Sequence, residues 1–460
     1  MKTNFSKSTL LATAMIAGLA ASAAAQQAAP QTMMLDPGDE AQIQEYVIGV
    51  ERIPRARRIY TDALKWKVKH EGAVDPSVAW MWGLAPKTKG TEVLVGNDAS
   101  KYGYVRLVAL EGIERKLARP NASWFDTGGL FNINVLVKDL AATSTSLRNM
   151  GFHAFAEPEA YVYPGNVKGI SAMMFGPEDV VISFQERQSP PLANWPEFEG
   201  ATHVEVGYQI VTDIKAWNEF WTKTVGLTAR DLRTRKAEKP IGPNDFRLPH
   251  NTKGLDDSTQ AGAYPRKGGE QLIGARQFLN SKGADYSDRA RPPNLGIVGM
   301  RLAMKDIDAL AERMRRDKVE FLADTRVYTL EPYGLVKGFA VKAPGGSGLW
   351  TEFFEQGPKP LTKEEMQALL AGGAKNKWTG FGGRDCPKCT SSFNQDGSAE
   401  VTWSSGAATG TWTLKGNAIC TSWTTLRDGR ESCAIYYDVG NKTYESYTMT
   451  GSPEGRNMFQ

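Results

Sequence analysis

Histidine is scarce in this chain: His70, His153, His203 and His250 are the four in 460 residues. That is few for a metalloenzyme, because catalytic transition-metal sites usually draw two or more imidazoles together. Cysteine is absent until Cys386; it and Cys389, Cys420 and Cys433 fall in the last 75 residues. Charge of one sign is lacking too, with 55 basic against 51 acidic side chains. No long Lys/Arg block offers a phosphate-binding stripe, so nucleic acid is not an expected partner. Beyond the first 25 residues no run of ~18 apolar residues occurs, and nothing there would span a bilayer as a helix.

The beginning of the chain has what the rest lacks. Lys2 and Lys7 precede an uncharged run from Thr9 to Ala25 that ends in three alanines before Gln26. This is the pattern of a secretory signal peptide, residues 1–25, cleaved after Ala25. Its removal lowers the formal charge of +4 by two. The expected compartment is the periplasm or outside the cell, with no membrane contact after cleavage. An oxidising compartment favours pairing Cys386, Cys389, Cys420 and Cys433 as disulfides over a four-thiolate zinc site, although the CPKC spacing suits either.

Four segments share one pattern: an alternating strand, a short turn, then a helix with apolar residues every three or four positions. They are EYVIGVERIPRARRIYTDAL, NINVLVKDLAATSTSLRNMGF, VEVGYQIVTDIKAWNEFWTKTVGL and GMRLAMKDIDALAERMRRDKV. In the first, Pro54 sits in the opening turn, where its missing N–H costs little. After the second and fourth helices, Val167–Glu186 and Val336–Glu355 align without a gap and are identical at six of twenty positions. Both read as strand, Gly/Pro turn, strand. The chain is therefore expected to be a duplication of paired βαβββ units, one pair in 42–190 and another in 200–357, joined by the Pro-rich SPPLANWPEFEG. A stretch from Thr234 to Pro293, rich in Gly, Pro and charge, reads mostly as surface loop.

Residues 358–375 read as a linker helix, with Thr362 and Glu365 at capping-box spacing and glycines as a stop. From 376 to 460 short β-rich runs alternate with turn pairs such as Asp396-Gly397 and Asp428-Gly429, an antiparallel meander or small barrel. Its run from Gly410 to Tyr444, GTWTLKGNAICTSWTTLRDGRESCAIYYDVGNKTY, resembles small exported disulfide-bearing β domains.

The strand, acidic residue and helix ending in EFWTKTVGL, followed by a last strand after a Pro/Gly turn, resemble the vicinal oxygen chelate superfamily of glyoxalases, bleomycin resistance proteins and extradiol dioxygenases. The resemblance covers Gln42 to Glu355 and implies an α+β fold: two tandem domains, each of two βαβββ units curled into a cup, followed by the small antiparallel β domain. In that family His, Gln or Glu from first and last strands hold a divalent metal in the cup. The family's spacing points to Glu45, Asn132, Val206 and Gly299 on first strands, and to Ser183 and Glu352 on last strands. Only Glu45 and Glu352 are carboxylates, so the usual ligand sets are missing.

The resemblance thus implies a small-molecule-binding protein with no standard cofactor. Glu45 and Glu352 are its candidate catalytic carboxylates, and Asn132, Ser183 and His203 its candidate ligand contacts. Homo-oligomerisation stays open. The alternative is a lyase, isomerase or dioxygenase holding Fe, Mn, Ni or Zn in an atypical ligand set.

Overall fold

In the computed structural model, residues 33–459 are described apart from 36, 39, 164, 194, 237–256, 372, 381–388, 439–441 and 450–452. The expected signal peptide and Cys386 lie outside the described residues.

Each repeat folds as anticipated. Unit one is β1 (Gln42–Gly49), α1 (Ile53–Arg58), β2 (Lys67–Ala73), α2 (Pro76–Met81), β3 (Gly90–Gly96) and β4 (Tyr104–Leu110). Unit two is β5 (Leu130–Leu136), α3 (Leu140–Arg148), β6 (Glu159–Tyr163), β7 (Val167–Phe175) and β8 (Val181–Ser189). Unit three is β9 (Val206–Ile210), α4 (Ile214–Glu219), β10 (Thr228–Arg235), β11 (Ser258–Tyr264) and β12 (Leu272–Phe278). Unit four is β13 (Gly296–Ala303), α5 (Ile307–Arg316), β14 (Phe321–Leu330), β15 (Gly334–Lys342) and β16 (Trp350–Gln356).

Local chemistry starts the helices. Asp139 accepts from the Ala142 N–H, and Asp213 from those of Lys215 and Ala216, satisfying amides that an N-terminal turn leaves unpaired. Helices α1 and α4 each run on into a π-helical turn, Ile59–Ala63 and Phe220–Thr224. In unit three this turn lets Trp217 and Trp221 both point into the core, where neither has measurable exposure.

Two features go beyond the repeat pattern. Within the stretch from Thr234 to Pro293, otherwise mostly loop among the described residues, lie the strands β11 and β12; glycines at 262 and 274 break the apolar alternation that would have marked them. Each of these glycines faces a larger neighbour, Arg230 or Tyr208, that a Cβ would strike.

The second concerns which units pair. The first sheet runs β14-β15-β16-β13-β1-β4-β3-β2 and the second β10-β11-β12-β9-β5-β8-β7-β6. Unit one therefore joins unit four, and unit two joins unit three, through antiparallel contacts of first strands, β1 with β13 and β5 with β9. Stretches 42–190 and 200–357 each contribute one unit to each cup. A first strand presents the same kind of free edge in every unit, so the repeat pattern alone does not choose its partner. The result is two curled mixed sheets of two βαβββ units each. Their helix-covered faces share one continuous core that includes Tyr46, Ile133, Trp217 and Phe353.

Beyond them α6 (Lys363–Leu370) starts with a complete capping box between Thr362 and Glu365. Eight antiparallel strands then close a barrel: β17 (Ala374–Gly380), β18 (Cys389–Phe393), β19 (Ser398–Trp403), β20 (Gly406–Lys415), β21 (Ala418–Trp423), β22 (Ser432–Asp438), β23 (Tyr444–Thr448) and β24 (Pro453–Phe459). Cys420 and Cys433, register partners on β21 and β22, form a disulfide, and Cys389 is also disulfide-bonded. Among the described residues no helix is long and apolar enough to cross a membrane.

Candidate functional site

The concave face of the first sheet carries the two carboxylates singled out from the sequence. Glu45 on β1 lies opposite Arg301 on β13, and Arg301 is the register partner of Glu352 on β16. The pairing of units one and four thus brings Glu45 and Glu352, distant in the chain, to one place, with Arg301 between them. On the other side stands Arg106 of β4. All four side chains are without solvent exposure.

Their contacts form a closed network. Arg106 donates to both Glu45 oxygens, Nε to Oε2 at 2.7 Å and Nη2 to Oε1 at 2.6 Å, and its Nη1 donates to Glu92 at 2.7 Å. Arg301 donates from Nη1 to Glu45 Oε2 at 2.9 Å and from Nε to Glu352 Oε1 at 3.1 Å. The Tyr328 hydroxyl donates to Glu352 as well. Trp350 and Trp82 set their rings 5.4 and 5.9 Å from the Arg301 guanidinium. Helix α2 closes the cup over this cluster, its Met81 carbonyl accepting from the Trp350 indole.

Burial alone would raise the Glu45 carboxyl, but Arg106 and then Arg301 outweigh it and hold it down to about 2. Glu352 and Glu92 go the other way: burial lifts both, against the pull of Arg301 on the first and of Arg106 and Arg301 on the second. A general base needs a lone pair within reach of substrate and a pKa near the working pH. Glu45 has neither, since both oxygens are occupied by guanidiniums in a closed interior. Nor do the residues fit a divalent metal. Two of the four inward positions hold cations, both Glu45 oxygens are taken by guanidiniums, and a divalent ion would have to sit against those positive charges. Arg301 Nη2, Glu352 Oε2 and Glu92 Oε2 remain buried without a protein partner.

Register carries these four positions over to the second cup. Arg301 and Glu352 correspond to Asn134 and Ser183, which pair on β5 and β8. The counterpart of Glu45 is Val206, opposite Asn134, and that of Arg106 is Gly274 on β12. None is a carboxylate, imidazole or thiolate. Asn132, two residues before Asn134, donates its side-chain amide to Asn134 Oδ1. Phe131, Met173 and Phe175 give this face an apolar floor, and Tyr161 and Tyr163 stack at one side with ring centroids 4.5 Å apart. Beside them Arg187, on the same face of β8, interacts with Glu205, the residue before β9. Burial pushes the Glu205 carboxyl up to about 7, with Arg187 pulling down and Glu270 pushing up.

Asn132 and Ser183 therefore do share a cup, while His203 is in neither. It is fully buried, its Nδ1 3.1 Å from Ser100 Oγ and its Nε2 3.6 Å from Glu270. The rings of Tyr102 and Trp195 pack against it at 4.9 and 5.4 Å. Burial holds it down to about 4 against the opposing pull of Glu270, so it is neutral at pH 7. His203 lies three residues ahead of β9, where the chain packs on the Gly103 backbone and the Val204 N–H donates to the Gly103 carbonyl.

Spacing also pointed to Gly299, where the structure puts Arg301 opposite Glu45. Gly299, two residues earlier on β13, pairs with Val47 and leaves room for the Trp350 ring. Arg106 and Arg301 escaped notice although a signal was present. Each is the one charged residue in an otherwise apolar strand, YVRLVAL or GIVGMRLA, and such a residue must find a buried counterion. Among the described residues the one cluster of close metal-binding donors is Cys420, Glu431 and Cys433, and its thiols are consumed in the disulfide.

No protein-family model matches the chain, and neither does any curated protein sequence. Among solved structures it is similar to glyoxalase I from Zea mays, 13% identical over 69% of this chain and 92% of that one, with a TM-score of 0.45. A putative dioxygenase from Bacillus subtilis is 11% identical over 72% and 87%, with a TM-score of 0.42. The Mn(II)-bound glyoxalase from Novosphingobium aromaticivorans is 12% identical over 69% and 83%, with a TM-score of 0.23. The two-cup, four-unit architecture itself stands on the strand register given above.

Proposed function

We propose that this is an exported small-molecule-binding protein of the vicinal oxygen chelate architecture, in which the first cup is a structural keystone and the second takes the ligand without a metal. The observation that carries the reading is the register comparison. The four inward positions are an arginine–carboxylate network in one cup, and Asn134, Ser183, Val206 and Gly274 in the other. The second set suits a ligand with hydrogen-bonding oxygens or N–H groups over the apolar floor of Phe131, Met173 and Phe175. The Cys420–Cys433 disulfide supports export, since such bonds persist in oxidising compartments.

Elemental analysis of untagged protein, purified from the periplasm and dialysed, tests the metal-free reading. Substoichiometric Fe, Mn, Ni and Zn is expected; one tightly held ion per chain, lost on Glu352→Ala or Glu45→Ala, overturns it in favour of a metal-dependent lyase, isomerase or dioxygenase. A thermal-shift screen of small polar aromatic and aliphatic molecules tests the second cup. Stabilising compounds are expected to lose their effect in Ser183→Leu, while compounds acting equally on wild type and Ser183→Leu would remove the second cup from the proposal.

One observation favours a second reading, metal-free acid–base catalysis in the same cup. A carboxyl poised near 7 beside Arg187, as Glu205 is, is a suitable proton donor and acceptor. Turnover of any screened compound that follows a pKa near 7 and disappears in Glu205→Gln would establish it.

A further inference from the structure

The C-terminal barrel holds a cavity of about 400 Å³ that opens to solvent on one side, within the roughly 300–1,000 Å³ of small-molecule pockets. An eight-stranded barrel is just wide enough either to be filled by its own side chains or to hold one small ligand. Here small inward residues, Ser391, Thr421 and Ser446 among them, leave the space open, and Trp403, Trp423 and Tyr436 supply flat apolar walls. Helix α6 packs Met366 and Leu370 into the barrel core with Phe393, Ala399 and Ile419.

One polar atom faces this cavity without a partner. Asn376 on β17 is buried, 1% exposed, and lines the cavity. Its amide orientation follows from a chain of donors. Asn457 Nδ2 donates to the Gly455 carbonyl at 3.0 Å and to Ser446 Oγ at 2.9 Å, which turns Asn457 Oδ1 towards Asn376. Asn376 Nδ2 donates to that oxygen at 2.8 Å and to Ser391 Oγ at 3.4 Å. The reverse orientation would set carbonyl oxygens against each other, so Asn376 presents its Oδ1, and that acceptor has no protein partner. A buried acceptor left unpaired is costly, and a ligand donor would relieve the cost. At the rim Arg427 and Glu454 pair at 3.1 Å and offset each other's charge.

From this geometry we propose that the barrel is a binding site for a neutral, largely aromatic molecule that carries a hydroxyl or N–H group. The ring lies between Trp403 and Trp423, and the donor bonds Asn376 Oδ1. The site is separate from the second cup, and neither reading depends on the other.

Equilibrium dialysis of the full chain with 2-naphthol and with 2-methoxynaphthalene, which has the same ring system but no donor, tests it. The expected result is one barrel-bound 2-naphthol per chain, held about tenfold more tightly than its methyl ether, as befits an acceptor otherwise unpaired. Asn376→Leu brings the two affinities together. Thr421→Phe fills the cavity and removes both, whereas Ser183→Leu in the second cup leaves them unchanged. Should Asn376→Leu not fold, the affinity ratio in the unmodified chain and the Thr421→Phe result decide the matter by themselves. Binding of neither probe at millimolar concentration, equal binding of both, or binding that survives Thr421→Phe overturns the proposal.

Discussion

Replacing Glu45 by Gln tests whether the first cup is a keystone. The substitution keeps the shape of the side chain and removes its charge, leaving Arg106 and Arg301 buried against a neutral amide. The magnitude can be reached in two ways. Holding a carboxyl from its ordinary 4.5 down to about 2, at about 1.4 kcal/mol per pH unit, corresponds to a stabilisation of about 3 kcal/mol at neutral pH. Removing one partner of a buried ion pair costs roughly 3–5 kcal/mol, because the survivor keeps its desolvation penalty. The routes agree in order of magnitude. The assay is urea unfolding at pH 7 followed by tryptophan fluorescence, since Trp82 and Trp350 stand beside Arg301. A loss of about 3 kcal/mol is expected, with an unchanged slope. The sign in pH is also set: folding depresses this carboxyl, so its contribution is complete above 4.5 and fades as pH falls towards 2, and Glu45→Gln should lose that acid-limb dependence. A loss below about 1 kcal/mol, or an unaltered acid limb, would refute the keystone reasoning.

Other expectations follow from buried groups elsewhere. His203 is held down to about 4 from 6.5 and Glu205 up to about 7 from 4.5. Between pH 4.5 and 6.5 the first therefore makes stability rise with pH and the second makes it fall. The two partly cancel in the wild type, so stability–pH curves of His203→Asn and Glu205→Gln should tilt in opposite directions; parallel tilts would contradict the assignment. The Cys420–Cys433 bond closes a short loop, sequence separation 13, and replacing both cysteines by serine should lower barrel stability by roughly 2–4 kcal/mol, read by chemical denaturation. Trp221→Ala, which empties a fully buried site in the core shared by both sheets, should cost roughly 3–5 kcal/mol by the same method.

Much of this was legible before folding. The four helices and their preceding strands could be read from periodicity because the amphipathic stripe and the strand alternation are local. The gapless alignment of Val167–Glu186 with Val336–Glu355 set Ser183 and Glu352 in equivalent last-strand places, and β8 and β16 hold them there. The turn pairs after residue 376 marked the barrel hairpins. Legibility stopped where a residue's meaning depended on a distant partner. Glu45 read as a reactive carboxylate, since nothing near it in the chain announces Arg106 or Arg301. His203 read as a strand-end contact because Ser100, Tyr102 and Trp195 reach it only through the fold. Strands β11 and β12 were hidden by glycines whose purpose is to admit Arg230 and Tyr208.

The sequence by itself determined the count and kind of units, the α+β class, the capped helices and the β character of the tail, all carried by interactions within a few residues. The tertiary structure alone decided that unit one closes on unit four and unit two on unit three. Equivalent strand edges compete for partners, and only packing of the whole chain selects among them. That choice put Glu45, Arg106, Arg301 and Glu352 into one desolvated cluster, where the guanidiniums hold Glu45 down while burial lifts Glu352, and set Asn134, Ser183, Val206 and Gly274 at the matching places of the second cup.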